Sequence, residues 1–175
     1  MAEGNEKIIV EADEQGSYRG SKDKKNTVRV LVFSLAAEDY CIEIKQAKEV
    51  IRLPEITRVP NTPEFIAGVM NLRGEIIALV IPHYFFGLER KKKAEEARII
   101  ITDTAGYSVG ILVDRVEDAI DIEEGSIQAP LSTLNETIFS FTRGQIHQGN
   151  RILTLLDIEK VLNNNEINVL RKGAE

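Results

Sequence analysis

After Thr27, Val28, Val30 and Val32 alternate with Leu31, Phe33 and Leu35, a period of two with apolar residues on both faces that predicts a buried strand. Ala37, Glu38 and Asp39 predict a turn. Tyr40, Ile42 and Ile44 then alternate with Cys41 and Glu43, the pattern of a strand with one wet face, and the two strands close a hairpin. Lys45 to Lys48 suits one helical turn ahead of Val50 and Ile51, and Pro54 and Pro60 punctuate an extended connection. Phe65, Ile66, Val69, Met70 and Leu72 lead to Gly74; Ile76, Ile77, Leu79, Val80 and Ile81 follow, too apolar for an exposed strand, and Pro82 ends the run. A second series begins with strands over 99–102, 107–113 and 116–122, the first two joined by a turn over 103–106. Residues 130–136 read as a loop, 138–141 as a short strand, 152–156 as a buried strand, and 157–163 as a short helix with Asp157 at its N-cap.

Residues 1–26 are polar, carry Gly4, Gly16 and Gly20, and show no sustained hydrophobic period. They are expected to form a mobile N-terminal tail, ahead of a folded domain over 27–163 and a C-terminal tail over 164–175. Within the domain, Phe65 pairs with Phe141, Gly68 with Gly144, Ile76 with Ile152, Ile77 with Leu153, Leu79 with Leu155 and Val80 with Leu156, all at one offset. Chance likeness of apolar strands competes with a true repeat, and the paired glycines favour the repeat. Each copy is too small to bury a large core alone, so two related β units packed against each other are expected.

Composition narrows the chemistry. With 43% hydrophobic and 29% charged residues, the 175-residue chain has globular composition and needs no staples. Cys41 is the only cysteine, which excludes an intrachain disulfide and a cysteine-built zinc cage and points to the cytoplasm. The apolar run at 8–10 is too short for a signal-peptide core, and no stretch of about eighteen apolar residues exists to enter a membrane. The 28 acidic against 22 basic side chains repel a phosphate backbone, so no nucleic-acid partner is expected. The charged segment 90–96 nearly cancels itself and reads as a solvated connection.

Catalytic patterns are missing too. His83 and His147 are the only histidines and stand in no His/Cys cluster. There is no phosphate loop, dinucleotide fingerprint, His-Glu-x-x-His or nucleophile elbow. Asp103-Thr104-Ala105-Gly106 superficially resembles an aspartic-protease turn, but a hairpin turn explains it better. Asp114, Glu117, Asp118, Asp121, Glu123 and Glu124 would be scattered over two faces by strand alternation, so no metal site and no cofactor are expected. A reading from another class, an RNA-binding or hydrolytic β-barrel protein, lacks stacking aromatics with basic neighbours, or a nucleophile with its base. A non-enzymatic protein that works by binding other proteins is left.

The segment Val59-Pro60-Asn61-Thr62-Pro63-Glu64-Phe65-Ile66-Ala67-Gly68-Val69-Met70-Asn71-Leu72-Arg73-Gly74 closely resembles the signature of the CheW family of bacterial chemotaxis coupling proteins, most specifically in Asn71-Leu72-Arg73-Gly74. Further matches are Gly87 in Phe85-Phe86-Gly87-Leu88, the run from Val109 to Val116, and the closing run from Leu155 to Leu162. Ile81, Pro82 and His83 stand where members usually carry Asp, Leu and Arg, a departure at the end of that strand.

The resemblance implies a mainly β fold of two intertwined five-stranded SH3-like β-barrel subdomains with short helices, one of them C-terminal. It implies a cytoplasmic scaffold, associated with membrane receptor arrays through its partners: the cytoplasmic tip of a methyl-accepting chemoreceptor and the regulatory domain of the histidine kinase CheA. An adaptor of another chemosensory pathway, such as surface motility, fits the same residues. Carried over by position, the receptor-side residues are Ala47, Glu49, Val50, Ile51 and Arg73, and the kinase-side residue is Gly68. The residues themselves suggest that Gly74 permits the turn, Leu72 fills the core and Arg73 is left at the turn, an anchor beside Val50 and Ile51 if their strands adjoin.

Overall fold

A computed structural model describes residues 8–12, 18–22, 26–90, 95–104 and 106–163. Within the expected tail, β1 (Ile8–Ala12) and β2 (Tyr18–Lys22) pair antiparallel as a two-stranded sheet of their own. The β-branched residues Ile8, Ile9 and Val10 favour a strand locally, although the run is too short to show a period. The expected C-terminal tail, 164–175, lies outside the described residues.

The remaining strands are β3 (Thr27–Leu35), β4 (Glu38–Glu43), β5 (Glu49–Arg52), β6 (Ile66–Leu72), β7 (Glu75–Val80), β8 (Arg98–Thr104), β9 (Tyr107–Val113), β10 (Arg115–Glu123), β11 (Thr142–Gln148) and β12 (Arg151–Leu156). They form two five-stranded sheets, ordered β5-β8-β9-β7-β6 and β10-β3-β4-β12-β11. In each, one parallel pair, β9 with β7 or β4 with β12, joins antiparallel neighbours. The hairpin β3–β4 completes the sheet built by β10, β11 and β12, while β8–β9 completes the sheet of β5, β6 and β7. The expectation of a mainly β chain with two intertwined five-stranded units is met.

The repeat is physical. β6 and β11, and β7 and β12, have bounds that differ by the 76 residues separating Gly68 from Gly144. Both first strands carry a bulge at the same place, between Ile66 and Gly68 and between Thr142 and Gly144. The bridges Thr57–Val69 and Gln128–Gln145 tie each sheet's two edge regions together. The Phe65 carbonyl accepts from Ile81 N and the Phe141 carbonyl from Asp157 N, both at 2.8 Å.

Alternation along the strands sorts side chains into three cores. Val30, Val32 and Cys41 pack with Ile146, Leu153 and Leu155 inside one unit; Met70, Ile77 and Leu79 pack with Ile99, Ile101 and Leu112 inside the other. Leu31, Phe33, Leu35, Ile100, Ile111 and Val113, on the opposite faces, meet between the units. There Tyr40 stacks on Phe86 at 5.5 Å and Phe65 meets Phe85 at 5.0 Å.

Three local expectations change. β4 has no wet face: Tyr40, Cys41, Ile42 and Glu43 are all buried, because β4 lies between β3 and β12 with core on both sides. Residues 138–141 belong to a helix, α2 (Glu136–Phe141), not a strand. Asn135 caps it by accepting from Ile138 N at 2.8 Å, and the three-residue spacing puts Ile138 and Phe141 on one buried side. Leu72 is only half-buried, since its strand ends there. The other helices are α1 (His83–Phe86), starting at Pro82, and α3 (Ile158–Leu162), capped by Asp157 as expected.

Candidate functional site

Arg73 and Gly74 are the two turn residues between β6 and β7, whose pairing ends at Leu72 opposite Glu75. Both have positive φ, +54° and +92°, the backbone hand that a two-residue hairpin turn requires. Gly74 takes it freely, Arg73 at a cost, and Asn71 steadies the turn by accepting from Gly74 N at 2.9 Å. The turn delivers the Arg73 guanidinium to Glu49, with Nη1 to Oε1 and Nη2 to Oε2 both 3.0 Å. Glu49 begins β5, at the opposite edge of the sheet from β6, so the fork joins the two edges.

The structure brings together two of the five residues expected on the receptor side, and the side chain of Arg73 remains 76% exposed. Val50 is exposed. Ile51 turns inward against Met70, Ile77 and their neighbours, and Ala47, which closes the 3-10 turn Ile44–Gln46, packs against the core between the units. Next to them Lys48 lies 3.3 Å from Asp103, whose carboxyl is held below the usual range first by the Ser108 hydroxyl and then by Lys48.

Sequence reasoning missed Ile76 and Tyr107, exposed by 64% and 65%. Val50, Ile100, Ile111 and Val80 lie in register across β5, β8, β9 and β7 on the face that forms the central core. Farther along that face Val109 stands opposite Ala78, and Ile76 and Tyr107 follow two residues beyond each. The apolar face thus runs out of the core into solvent. No period marks it, because β7 reads apolar on both sides.

Gly68 is buried. It sits in the β6 bulge with φ +141°, and a Cβ there would lie 2.3 Å from the Thr57 carbonyl oxygen and 2.8 Å from Ile56 Cγ2. Only glycine lets Thr57 and Val69 exchange their two 2.9 Å hydrogen bonds. Gly144 is pressed in the same way against Ile127 and Gln128. Gly68 therefore shapes the surface over it, of which exposed Val59 and Tyr84 are parts.

Where Ile81, Pro82 and His83 depart from the resembled pattern, all three are buried, and His83 Nε2 lies 3.0 Å from Asp114 Oδ2. The same oxygen accepts from Ala36 N at 2.6 Å, holding the turn between β3 and β4 where Ala36 has φ +56°. Asp114 is the residue at which the chain passes from one sheet to the other. Buried Glu43 is held below its usual range by Lys45 first and then Arg143, against the effect of burial. Among the described residues no three His, Cys, Asp or Glu side chains gather as a metal site would need, and no helix is long and apolar enough to cross a membrane.

Residues 29–166 match the family model of the CheW-like domain. Chemotaxis protein CheW of Helicobacter pylori is 31% identical over 145 residues, covering 82% of this chain and 87% of that protein. Chemotaxis protein CheW of Klebsiella aerogenes is 32% identical over 145 residues, with 83% and 87% covered. The crystal structure of the scaffolding protein TtCheW from Thermoanaerobacter tengcongensis superposes with a TM-score of 0.72 at 32% identity, covering 82% of this chain and 93% of that one. With the fold, the repeat and the Asn71–Gly74 turn all in place, the chain belongs to the CheW-like family, a non-enzymatic chemotaxis adaptor.

Proposed function

We propose that this protein joins the cytoplasmic tip of a chemoreceptor to the regulatory domain of the histidine kinase CheA, and that it works in the cytoplasm, held at membrane receptor arrays by those partners. The observation that carries this reading is the forked, largely exposed Arg73–Glu49 pair, which joins the edges of a sheet whose other face is apolar and exposed at Val50, Ile76 and Tyr107. An amphipathic receptor helix needs such a surface: apolar area for its buried side and a few fixed polar groups to set its register. Arg73, Glu49 and Val50 touch the helix, and Ala47 and Ile51 support them from the core. The kinase docks on the surface that Gly68 shapes, around Val59.

The test is co-sedimentation of purified kinase with receptor signalling fragments, with and without this protein. The protein is expected to carry the kinase into the receptor pellet and raise its autophosphorylation. Failure to bind either fragment refutes the reading.

A further inference from the structure

Beside the Gly68 strand lies a cleft of about 790 Å³ whose walls include Ile56, Val59, Ala67, Ile81 and Leu88. Ile56 is shared: the same side chain that presses on Gly68 forms a wall of this cleft. His83 also lines it, although only 1% of the residue is exposed. Its Nε2 is taken by Asp114, and a carboxylate only accepts, so Nε2 carries a proton, and a ring holding that one proton keeps a lone pair on Nδ1. Nδ1 is buried and has no partner. Buried acceptors are nearly always satisfied, and this one belongs to a residue that lines a cleft of mixed apolar and charged walls.

We propose that His83 is the polar anchor of this cleft and accepts, through Nδ1, a hydrogen bond from a docking segment of the kinase regulatory domain. The inference rests on the kinase reading above and deepens it. The segment that fits presents an apolar side chain with a neutral N–H or O–H donor beside it. A charged group is not called for, because the flanking charges, Arg58 and Arg90 against Glu64 and Glu89, cancel. Asp114 positions the ring and His83 selects the donor.

Two substitutions separate these roles, because glutamine reaches where Nε2 stands and asparagine places its amide where Nδ1 stands. His83→Gln keeps a donor for Asp114 and loses the acceptor in the cleft; His83→Asn does the reverse. Binding of the kinase regulatory domain is measured by calorimetry, and stability by urea midpoint. His83→Gln is expected to hold its midpoint and to bind about tenfold more weakly. His83→Asn is expected to lose stability and, while folded, to bind within about threefold of the parent. A ¹⁵N resonance of His83 Nδ1 in the unaltered protein gives a readout that needs no variant: it should move into the hydrogen-bonded range when the kinase fragment is added. Undiminished binding by His83→Gln, or an unmoved resonance in a formed complex, overturns the anchor and leaves the kinase reading standing. An unaltered protein that does not bind the fragment overturns both.

Discussion

Reversing the charge of Arg73 separates its two roles in the hairpin. The side chain is largely exposed, so the pair with Glu49 is worth about 0–1 kcal/mol to stability despite its good geometry. The left-handed backbone at Arg73 costs about 1 kcal/mol, which glycine would not incur. Arg73→Gly therefore trades strain against the lost pair and a looser unfolded chain, and its net change should stay within about 1 kcal/mol. Arg73→Glu sets two carboxylates together and should cost about 1 kcal/mol, a fall in Tm of about 2–4 °C for a domain of this size. Leu72→Ala removes a half-buried side chain at the same hairpin end and should cost about 1–2.5 kcal/mol, less than a fully buried leucine. Coupling should respond in the opposite order. Both Arg73 variants are expected to lose most kinase activation in reconstituted receptor complexes, because the receptor groups meeting the guanidinium are left unpaired. Leu72→Ala should keep most of it. The exchange Glu49→Arg with Arg73→Glu should restore the urea midpoint and not the coupling. An Arg73→Glu protein that is less stable than Leu72→Ala refutes the argument, as does one that activates kinase normally, or an exchange that restores coupling.

Gly68→Ala should lose at least about 3 kcal/mol, since its Cβ meets a backbone carbonyl, whereas Gly74→Ala, with open space around it, should lose about 1 kcal/mol; paired thermal melts decide. Glu43 contributes stability above its unfolded carboxyl range, near 4.5, that is lost as pH falls through its lower folded value; Glu43→Gln should flatten the stability profile below that point, read by acid titration of the urea midpoint. Removing residues 1–25 should leave Tm within about 4 °C, because β1 and β2 pair only with each other, provided Asn26 stays to accept from Glu124 N. The Cys41 thiol, pushed up to about 12 by burial, should resist a thiol reagent at pH 8 until the protein is unfolded.

Much of the fold was legible because its signals are local. β3 reads correctly since Leu31, Phe33 and Leu35 face one core while Val30 and Val32 face another, and a strand buried on both sides needs no neighbour to declare itself. β11 carries no strand signal of its own: Ile146 is its only large aliphatic residue, and its buried Gln145 and Thr142 look polar in isolation. The repeat contained the answer, because Gly144 stands where Gly68 stands. Glu43 gave β4 a false wet face, since its partner Arg143 lies 100 residues away. Asn71 to Gly74 marked the turn, but the approach of Glu49 depends on bringing together the two edges of a sheet. Ile76 was hidden for a related reason: exposure on an apolar strand is decided by what packs over it, and nothing in β7 says where that cover ends.

The exchange of hairpins makes the chain an interlock. A cut in the charged segment 90–96 would separate β3 to β7 from β8 to β12, and neither piece holds a complete five-stranded sheet. One piece supplies the hairpin that the other lacks, so the two fragments should be unfolded apart and should recombine when mixed, as halves of a clasp do. A pull on either unit is therefore borne in part by strands that belong to the other half of the chain. A load on one unit then passes to the other through paired strands, without a hinge.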